Sequence, residues 1–286
     1  MKTLLSFVQF APIWVILKLF KIIPIEPRSR ILGRLTGGVI KVLPSIRKRA
    51  DDNLALIFPD MAIGERLTIR NTMARHVGQT LGEILFNEDY AAQTKRFHAS
   101  GVGLDVLEQC KTDGRGAIIV SGHFGQWEAI RHYLMAHGME TGALYRPTNN
   151  PFYEKYFLRG IKRAGEPIVP RGTGGVRTMI KTLRSGGFMA ILIDQRQNDG
   201  RDLPFLGHNA KTGVAAAEMA LKLKVPLVPV FATRAANGQD IHIDFQEPIE
   251  PTDAIEMTLR ANERLESKIR NHPEQWFWVH KRWLIK

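Results

Sequence analysis

From about residue 100 onward the chain repeats one unit: a short apolar run, a break rich in Gly or polar residues, then a helical pattern. The apolar runs are 116–120 (GAIIV), 141–145 (TGALY), 166–170 (EPIVP), 187–193 (GFMAILI), 227–232 (LVPVFA) and 241–245 (IHIDF). Helical patterns lie at 125–137, 150–164, 174–185, 213–224 and 253–271. Strands this apolar must be covered, and the alternation supplies the helices that cover them. The expected fold is therefore α/β, with a mixed, mostly parallel sheet flanked by helices. The run at 241–245 alternates apolar and polar residues and reads as an edge strand. In open α/β sheets ligands gather beyond the carboxyl ends of the strands, so the polar residues that follow each strand are where chemistry is expected.

The chain has 286 residues, enough for one large α/β domain. No Ser/Gly-rich linker, low-complexity run or repeat of 20–50 residues divides it. The expected organisation is an anchor at 1–25 and a single domain at 26–286. Residues 4–25 read LLSFVQFAPIWVILKLFKIIPI. Ser6, Gln9 and Pro12 break the apolar run, and Lys18 and Lys21 interrupt it. Crossing a bilayer takes roughly 20 apolar residues, so the segment reads as a marginal anchor, either a short span or an interfacial helix. It lacks the small-residue cleavage site of a secretory signal. A buried helix of the main domain is the competing reading. The cluster Arg28, Arg30, Arg34, Lys41, Arg47, Lys48 and Arg49 follows directly, and positive charge after a lone anchor keeps the body on the cytoplasmic side.

Lys and Arg total 40 against 28 Asp and Glu, a net charge of +12. Such a balance suits a polyanionic partner: an anionic membrane surface, a phosphorylated substrate or an acidic carrier protein. The motifs of nucleic-acid readers are missing: zinc-finger spacing, a basic zipper or an RNP-like aromatic motif. Cys110 is the single cysteine, so no disulfide can form within the chain. It sits in a helical pattern with no activating neighbour and reads as a buried thiol. Residues 63–87 form a long amphipathic pattern, with Met73, Val77, Leu81, Ile84 and Leu85 at helical spacing, assigned to core packing and no chemistry.

The stretch after the first strand is Ser121-Gly122-His123-Phe124-Gly125-Gln126-Trp127-Glu128. Gly122 and Gly125 permit a tight strand-to-helix turn. On one continuous helix, His123 and Glu128 would point roughly 140° apart. With His123 in the turn and Glu128 in the first helical turn, they can meet. A carboxylate on one imidazole nitrogen fixes the tautomer, and the other nitrogen can then deprotonate a hydroxyl. The alternative is a His that caps the turn and a Glu in a surface pair.

HFGQWE resembles the His-x4-Glu motif of the bacterial lipid A biosynthesis acyltransferases, the late lauroyl/myristoyl family, whose His-x4-Asp relatives include the glycerolphosphate acyltransferases. The likeness continues through Tyr145-Arg146-Pro147, Asp194-Gln195, Pro204-Phe205-Leu206-Gly207 to Thr212-Gly213, and the run from Pro273 to Trp283 (PEQWFWVHKRW). Gln126 stands where the family often has Asn, and Lys281 where it often has a second Arg; both departures bear on acceptor preference. The resemblance implies that His123 and Glu128 are catalytic. It implies an acyl-acyl-carrier-protein donor, a phosphorylated glucosamine disaccharide acceptor and the cytoplasmic face of a bacterial inner membrane. It requires no cofactor or metal. In the implied reaction His123 deprotonates the acceptor hydroxyl, the alkoxide attacks the thioester, and backbone N–H groups near Gly125, or a nearby Arg, stabilise the oxyanion.

Tyr145, Arg146, Arg159, Arg163, Arg171 and Asp194 are the candidate substrate-binding residues. Arg146 and Arg171 each follow a predicted strand, and a guanidinium can grip a phosphate with two bonds; a solvated surface Arg is the alternative for each. Arg171 also leads a Gly-rich approach to a helix, whose free amides favour anions. Arg159 and Arg163 lie one turn apart on a helix. Asp194 ends an apolar strand and reads as a loop anchor or a partner for an Arg. Trp276, Trp278 and Trp283 read as core or membrane-interface residues. His132 and His137 lack the companions of a metal site. Three other functions stay open: acylation of a different glycolipid or lysophospholipid, thioester hydrolysis, and lipid binding at a membrane surface without catalysis.

Overall fold

The computed structural model describes residues 2–284. Five helices come first: α1 (Lys2–Phe20), α2 (Ile25–Val42), α3 (Pro44–Ile57), α4 (Ile63–Leu85) and the short α5 (Asn87–Ala91). The strand–helix repeat follows as β1 (Phe97–Ser100), α6 (Val102–Thr112), β2 (Ala117–Ser121), α7 (Glu128–Ala136), β3 (Thr141–Tyr145), α8 (Pro151–Ile161), β4 (Ile168–Pro170), α9 (Thr173–Arg184) and β5 (Phe188–Leu192). A hairpin of β6 (Arg201–Phe205) and β7 (His208–Thr212) precedes α10 (Ala215–Leu223), β8 (Leu227–Arg234), β9 (Ile241–Phe245) and α11 (Ala254–Asn271).

Seven strands form one sheet in the order β1-β9-β8-β2-β5-β3-β4. Every neighbouring pair is parallel except β8 with β9. This is the mixed, mostly parallel sheet the alternation predicts. β2 lies near its centre, and all five of its residues are buried, so its side chains feed both faces. Ile118 and Val120 join a core with residues of α9, α10, α11 and the Trp-rich carboxyl-terminal segment. Ile119 joins a second core with residues of α6 and α7. Cys110 is buried in that second core, as expected for a structural thiol.

Two details of the expected sheet change. The 241–245 strand is internal, because β1, a four-residue strand too short to read from sequence, pairs on its outer side. The stretch around Pro204, read from sequence only for its family likeness, is the β6–β7 hairpin. Its exposed Arg201, Asp202 and Pro204 hide the strand pattern.

No helix among the described residues is long and apolar enough to cross a membrane, so of the two expected forms of the 4–25 anchor the short span is not supported. α1 ends at Phe20, and Lys21 turns to pair with Glu88. One face of α1 packs on α8: Phe10 and Leu17 are buried, and Phe7 and Phe10 meet Phe152. Leu5, Val8, Ile13, Val15, Ile16 and Leu19 stay exposed. α2 lies close along α4. A Cβ at Gly78 would come within 2.9 Å of the Gly33 Cα, so small residues set that approach.

α4 also buries charge and imidazole. Burial, with the charge of Arg234 second, holds His76 down at about 4. On α7, burial and then the Arg131 charge hold His132 down at about 3. An unfolded imidazole titrates near ~6.5. The folded state therefore binds fewer protons, and the stabilisation is complete above that pH and lost as pH falls toward 4. Urea unfolding should show constant stability from pH 8 to 7 and then a decline. Each histidine contributes at most about 1.4 kcal/mol per pH unit, and His132→Gln should flatten the slope.

Candidate active site

The site starts from strand register. β2 and β5 are parallel neighbours with Ser121 opposite Leu192. His123 and Asp194 each lie two residues beyond those partners, so both chains leave the sheet at the same level and the side chains meet. His123 Nδ1 is 2.8 Å from Asp194 Oδ1, and the His123 backbone N–H donates to Asp194 Oδ2 at 2.8 Å. Trp276 Nε1 donates to the same Oδ2, also at 2.8 Å. Burial alone would raise the Asp194 pKa; the His123 charge, the two His123 bonds and the Trp276 bond outweigh it and bring it to about 2. An ionised acceptor fixes the proton on Nδ1 and leaves the Nε2 lone pair free to act as a base. Gln195 Nε2 lies 3.2 Å from that nitrogen, in the place of a donor to it.

Glu128 opens α7 while His123 lies in the preceding turn, as expected, but the two side chains are not bonded to each other. Glu128 pairs instead with Arg131, one helical turn along. This corrects the expected carboxylate partner of His123: the nearby sheet neighbour supplies it, not the next helix. Arg131 donates in addition to the carbonyls of Thr141, Ile161 and Gly165. Burial pushes the Glu128 pKa up, opposed by Arg131. Asp194, expected to anchor a loop or an Arg, orients the imidazole.

The turn that carries His123 is pinned from behind. Gly125 has φ +54°, and a Cβ there would lie 1.9 Å from the Ala232 carbonyl. Its N–H donates to the Gln275 carbonyl at 2.8 Å, and the Gln126 N–H donates to the Ala232 carbonyl at 2.9 Å. The expectation that Gly125 offers an oxyanion donor is therefore corrected: its N–H is already bonded. Gln126 is fully buried. Its Oε1 accepts from the Glu128 N–H and its Nε2 donates to Glu83 on α4. Glu83 also receives a two-bond grip from Arg234, at 3.0 and 2.6 Å, and a bond from Ser29 at 2.7 Å. Thr80 donates to the Gly125 carbonyl. Glu83, Thr80 and Arg234 were not singled out from sequence, and Gln126 and Gln275 only through the family likeness; a carboxylate inside the apolar stripe of α4 was the one available signal.

His123 opens on a cavity of about 410 Å³. Its walls are largely apolar: Leu81 and Ile84 of α4, Ile119 of β2, Ile130 of α7, Ala143 and Leu144 of β3, Phe157 and Ile161 of α8, and Ala190 and Leu192 of β5. Glu128 and Arg131 form part of the wall, with Tyr145, Arg146, Arg171, Gln195 and His280. Tyr145 is opposite Pro170 in the β3–β4 pair, so Arg146 and Arg171 leave the sheet side by side. Both are exposed, and neither makes an ion pair among the described residues. Tyr145 donates to Glu154 at 2.9 Å. His280 accepts from the Arg196 N–H at 2.9 Å; burial above all, with the charges of His123, Arg282 and Arg171, lowers it to about 4 against the opposing pull of Asp194. Arg159 and Arg163 do not join this group. They line a separate groove of about 770 Å³ along α8 with Lys155 and Lys162, and Arg163 pairs with Glu88. Trp276, Trp278 and Trp283 are buried core residues.

Residues 2–285 match the model of a family described as bacterial lipid A biosynthesis acyltransferase. The chain is 25% identical over 280 residues to a lipid A biosynthesis acyltransferase of Haemophilus influenzae, covering 95% of this chain and 87% of that one. It is 26% identical to the lipid A biosynthesis palmitoleoyltransferase of Escherichia coli, covering 88% and 83%. It is 22% identical to a phosphatidylinositol mannoside acyltransferase of Mycobacterium tuberculosis, covering 64% and 59%.

If Glu128 serves to compensate Arg131, Glu128→Gln leaves a buried guanidinium without its counter-charge. The expected loss is about 3–5 kcal/mol in chemical unfolding. Unchanged stability in that variant would show that Arg131 does not depend on the Glu128 charge.

Proposed function

The chain belongs to the bacterial lipid A biosynthesis acyltransferases and is an O-acyltransferase; from that premise we propose that it moves a fatty acyl group from an acyl-carrier-protein thioester to a hydroxyl of a phosphorylated lipid A precursor, with His123 as base and Asp194 as its orienting carboxylate. The observation that carries this reading is the His123–Asp194 pair at the mouth of an apolar cavity, flanked by Arg146 and Arg171.

The acyl chain lies in the apolar cavity, which brings its thioester carbonyl to the mouth. The acceptor hydroxyl replaces the Gln195 amide at His123 Nε2. Proton transfer to Nε2 builds an imidazolium that Asp194 stabilises through Nδ1. The alkoxide forms a C–O bond to the carbonyl carbon, and the tetrahedral intermediate expels the carrier thiolate. The imidazolium returns its proton to that sulfur. Arg146 and Arg171 hold a phosphate of the acceptor, because two adjacent guanidiniums free of carboxylates suit a doubly charged oxyanion. Glu128 takes part as a positioning residue: its pair with Arg131 ties α7 to the ends of β3 and α8 and so shapes the cavity. The basic groove at Arg159 and Arg163 suits the acidic carrier protein.

The reaction is placed at the cytoplasmic face of a bacterial inner membrane. The exposed apolar row of α1 and the net charge of +12 support contact with an anionic lipid surface. A second reading, a different glycolipid as acceptor, is favoured by the likeness to a phosphatidylinositol mannoside acyltransferase.

Purified protein, lauroyl- and myristoyl-carrier protein or the matching CoA thioesters, and either acceptor separate these readings by the mass of the lipid product. Asp194→Asn is expected to lower kcat by about 10²–10⁴ with little change in KM, and His123→Ala to lower it at least as far while the protein stays folded. Arg171→Gln is expected to raise KM for a phosphorylated acceptor and leave KM for the donor unchanged. Equal turnover by the wild type and His123→Ala would refute the proposal.

A further inference from the structure

Among the buried groups near His123, one hydroxyl stands apart. Ser121 ends β2, is 3% exposed and lines the same cavity as His123. Its Oγ is buried and has no hydrogen-bond partner among the described residues. Buried hydroxyls are normally paired, and an orphan in the wall of a substrate cavity points to a partner that arrives with the ligand. Successive side chains of a strand point to opposite faces. Ile119 and Ser121 accordingly share the cavity face, while Ile118 and Val120 pack on the other side.

The chemistry at this mouth calls for a donor beside the base. A tetrahedral intermediate needs a hydrogen-bond donor at the oxygen where charge develops. Four backbone amides of the His123 turn are already engaged: His123 N–H with Asp194, Gly125 N–H with Gln275, Gln126 N–H with Ala232 and Glu128 N–H with Gln126. The Ser121 hydroxyl lies two residues before the base on the same strand exit and is uncommitted.

We propose that Ser121 Oγ–H is the oxyanion donor of this acyl transfer, an inference that rests on the acyltransferase reading above. As the acceptor oxygen bonds to the thioester carbon and His123 takes its proton, the carbonyl π pair moves onto oxygen. That oxygen accepts the hydrogen bond from Ser121 Oγ. When the C–O double bond re-forms, the C–S bond breaks, the sulfur takes the proton from His123, and Ser121 is left unchanged. Ser121 is a donor and not a nucleophile, because its Oγ has no bond to His123 or any other base.

The test compares wild type, Ser121→Ala and Ser121→Cys with lauroyl- and myristoyl-carrier protein and a lipid A precursor. Ser121→Ala is expected to lower kcat by about 10²-fold, with KM for the donor within threefold and the midpoint of the pH–rate profile unchanged. Its melting temperature should match wild type, since Oγ makes no bond in the free protein. Ser121→Cys, which keeps a weak donor of similar size, should recover part of the rate and covers the case in which the Ala variant does not fold. A kcat within twofold of wild type in either folded variant lacking the hydroxyl overturns the proposal. So does an acyl group on Ser121 in the intact mass of wild type during turnover. Absence of transfer by the wild type itself would fail the acyltransferase reading and not this assignment alone.

Discussion

The site depends on one carboxylate accepting three hydrogen bonds. Asp194 takes the His123 ring N–H on one oxygen, and the His123 backbone N–H with the Trp276 indole on the other. A buried carboxylate is costly unless its lone pairs are satisfied, and here the satisfying donors are the base itself and the carboxyl-terminal segment. The same contacts orient the imidazole, set its tautomer and join β2, β5 and the Trp-rich segment into one rigid corner.

Around that corner the remaining polar groups form a second layer. Glu83, held by Arg234 and Ser29, takes a hydrogen bond from Gln126, and Gln126 accepts from the Glu128 N–H. α2, α4 and β8 thereby share a single buried charge pair with the turn that carries His123. Breaking such a pair leaves an uncompensated charge, which is far more damaging than never having buried it. The Glu128–Arg131 pair repeats the arrangement on the other side of the turn. The turn that carries His123 is thus braced by two ion pairs and one carboxylate, with Nε2 beside Gln195 and the orphan Ser121 hydroxyl in the wall of the same cavity.

Much of this was legible in the chain because it is local. The strand–helix alternation announced the sheet, and HFGQWE after GAIIV announced a base at a strand end. Arg146, Arg171 and Asp194 were each singled out because they follow strands. What stayed hidden was strand order. Asp194 meets His123 because β5 lies beside β2 in register, and nothing in the spacing of 71 residues between them expresses that. Glu128 was the nearer carboxylate in sequence, but its i+3 neighbour Arg131 captures it. The α1 segment read by composition as a marginal anchor, a short span or an interfacial helix, yet its helix ends at Phe20 and commits Phe10 and Leu17 to packing. The hairpin at 201–212 was missed because polar residues occupy its exposed face.

The most direct test of the central claim is the ring tautomer of His123, read by nitrogen NMR of histidine-labelled protein. The account predicts that the uncharged ring carries its proton on Nδ1, coupled to a carboxylate, and that this coupling is lost in Asp194→Ala but retained in Glu128→Gln. A proton on Nε2, or a signal that survives loss of Asp194 and disappears with Glu128, would contradict it.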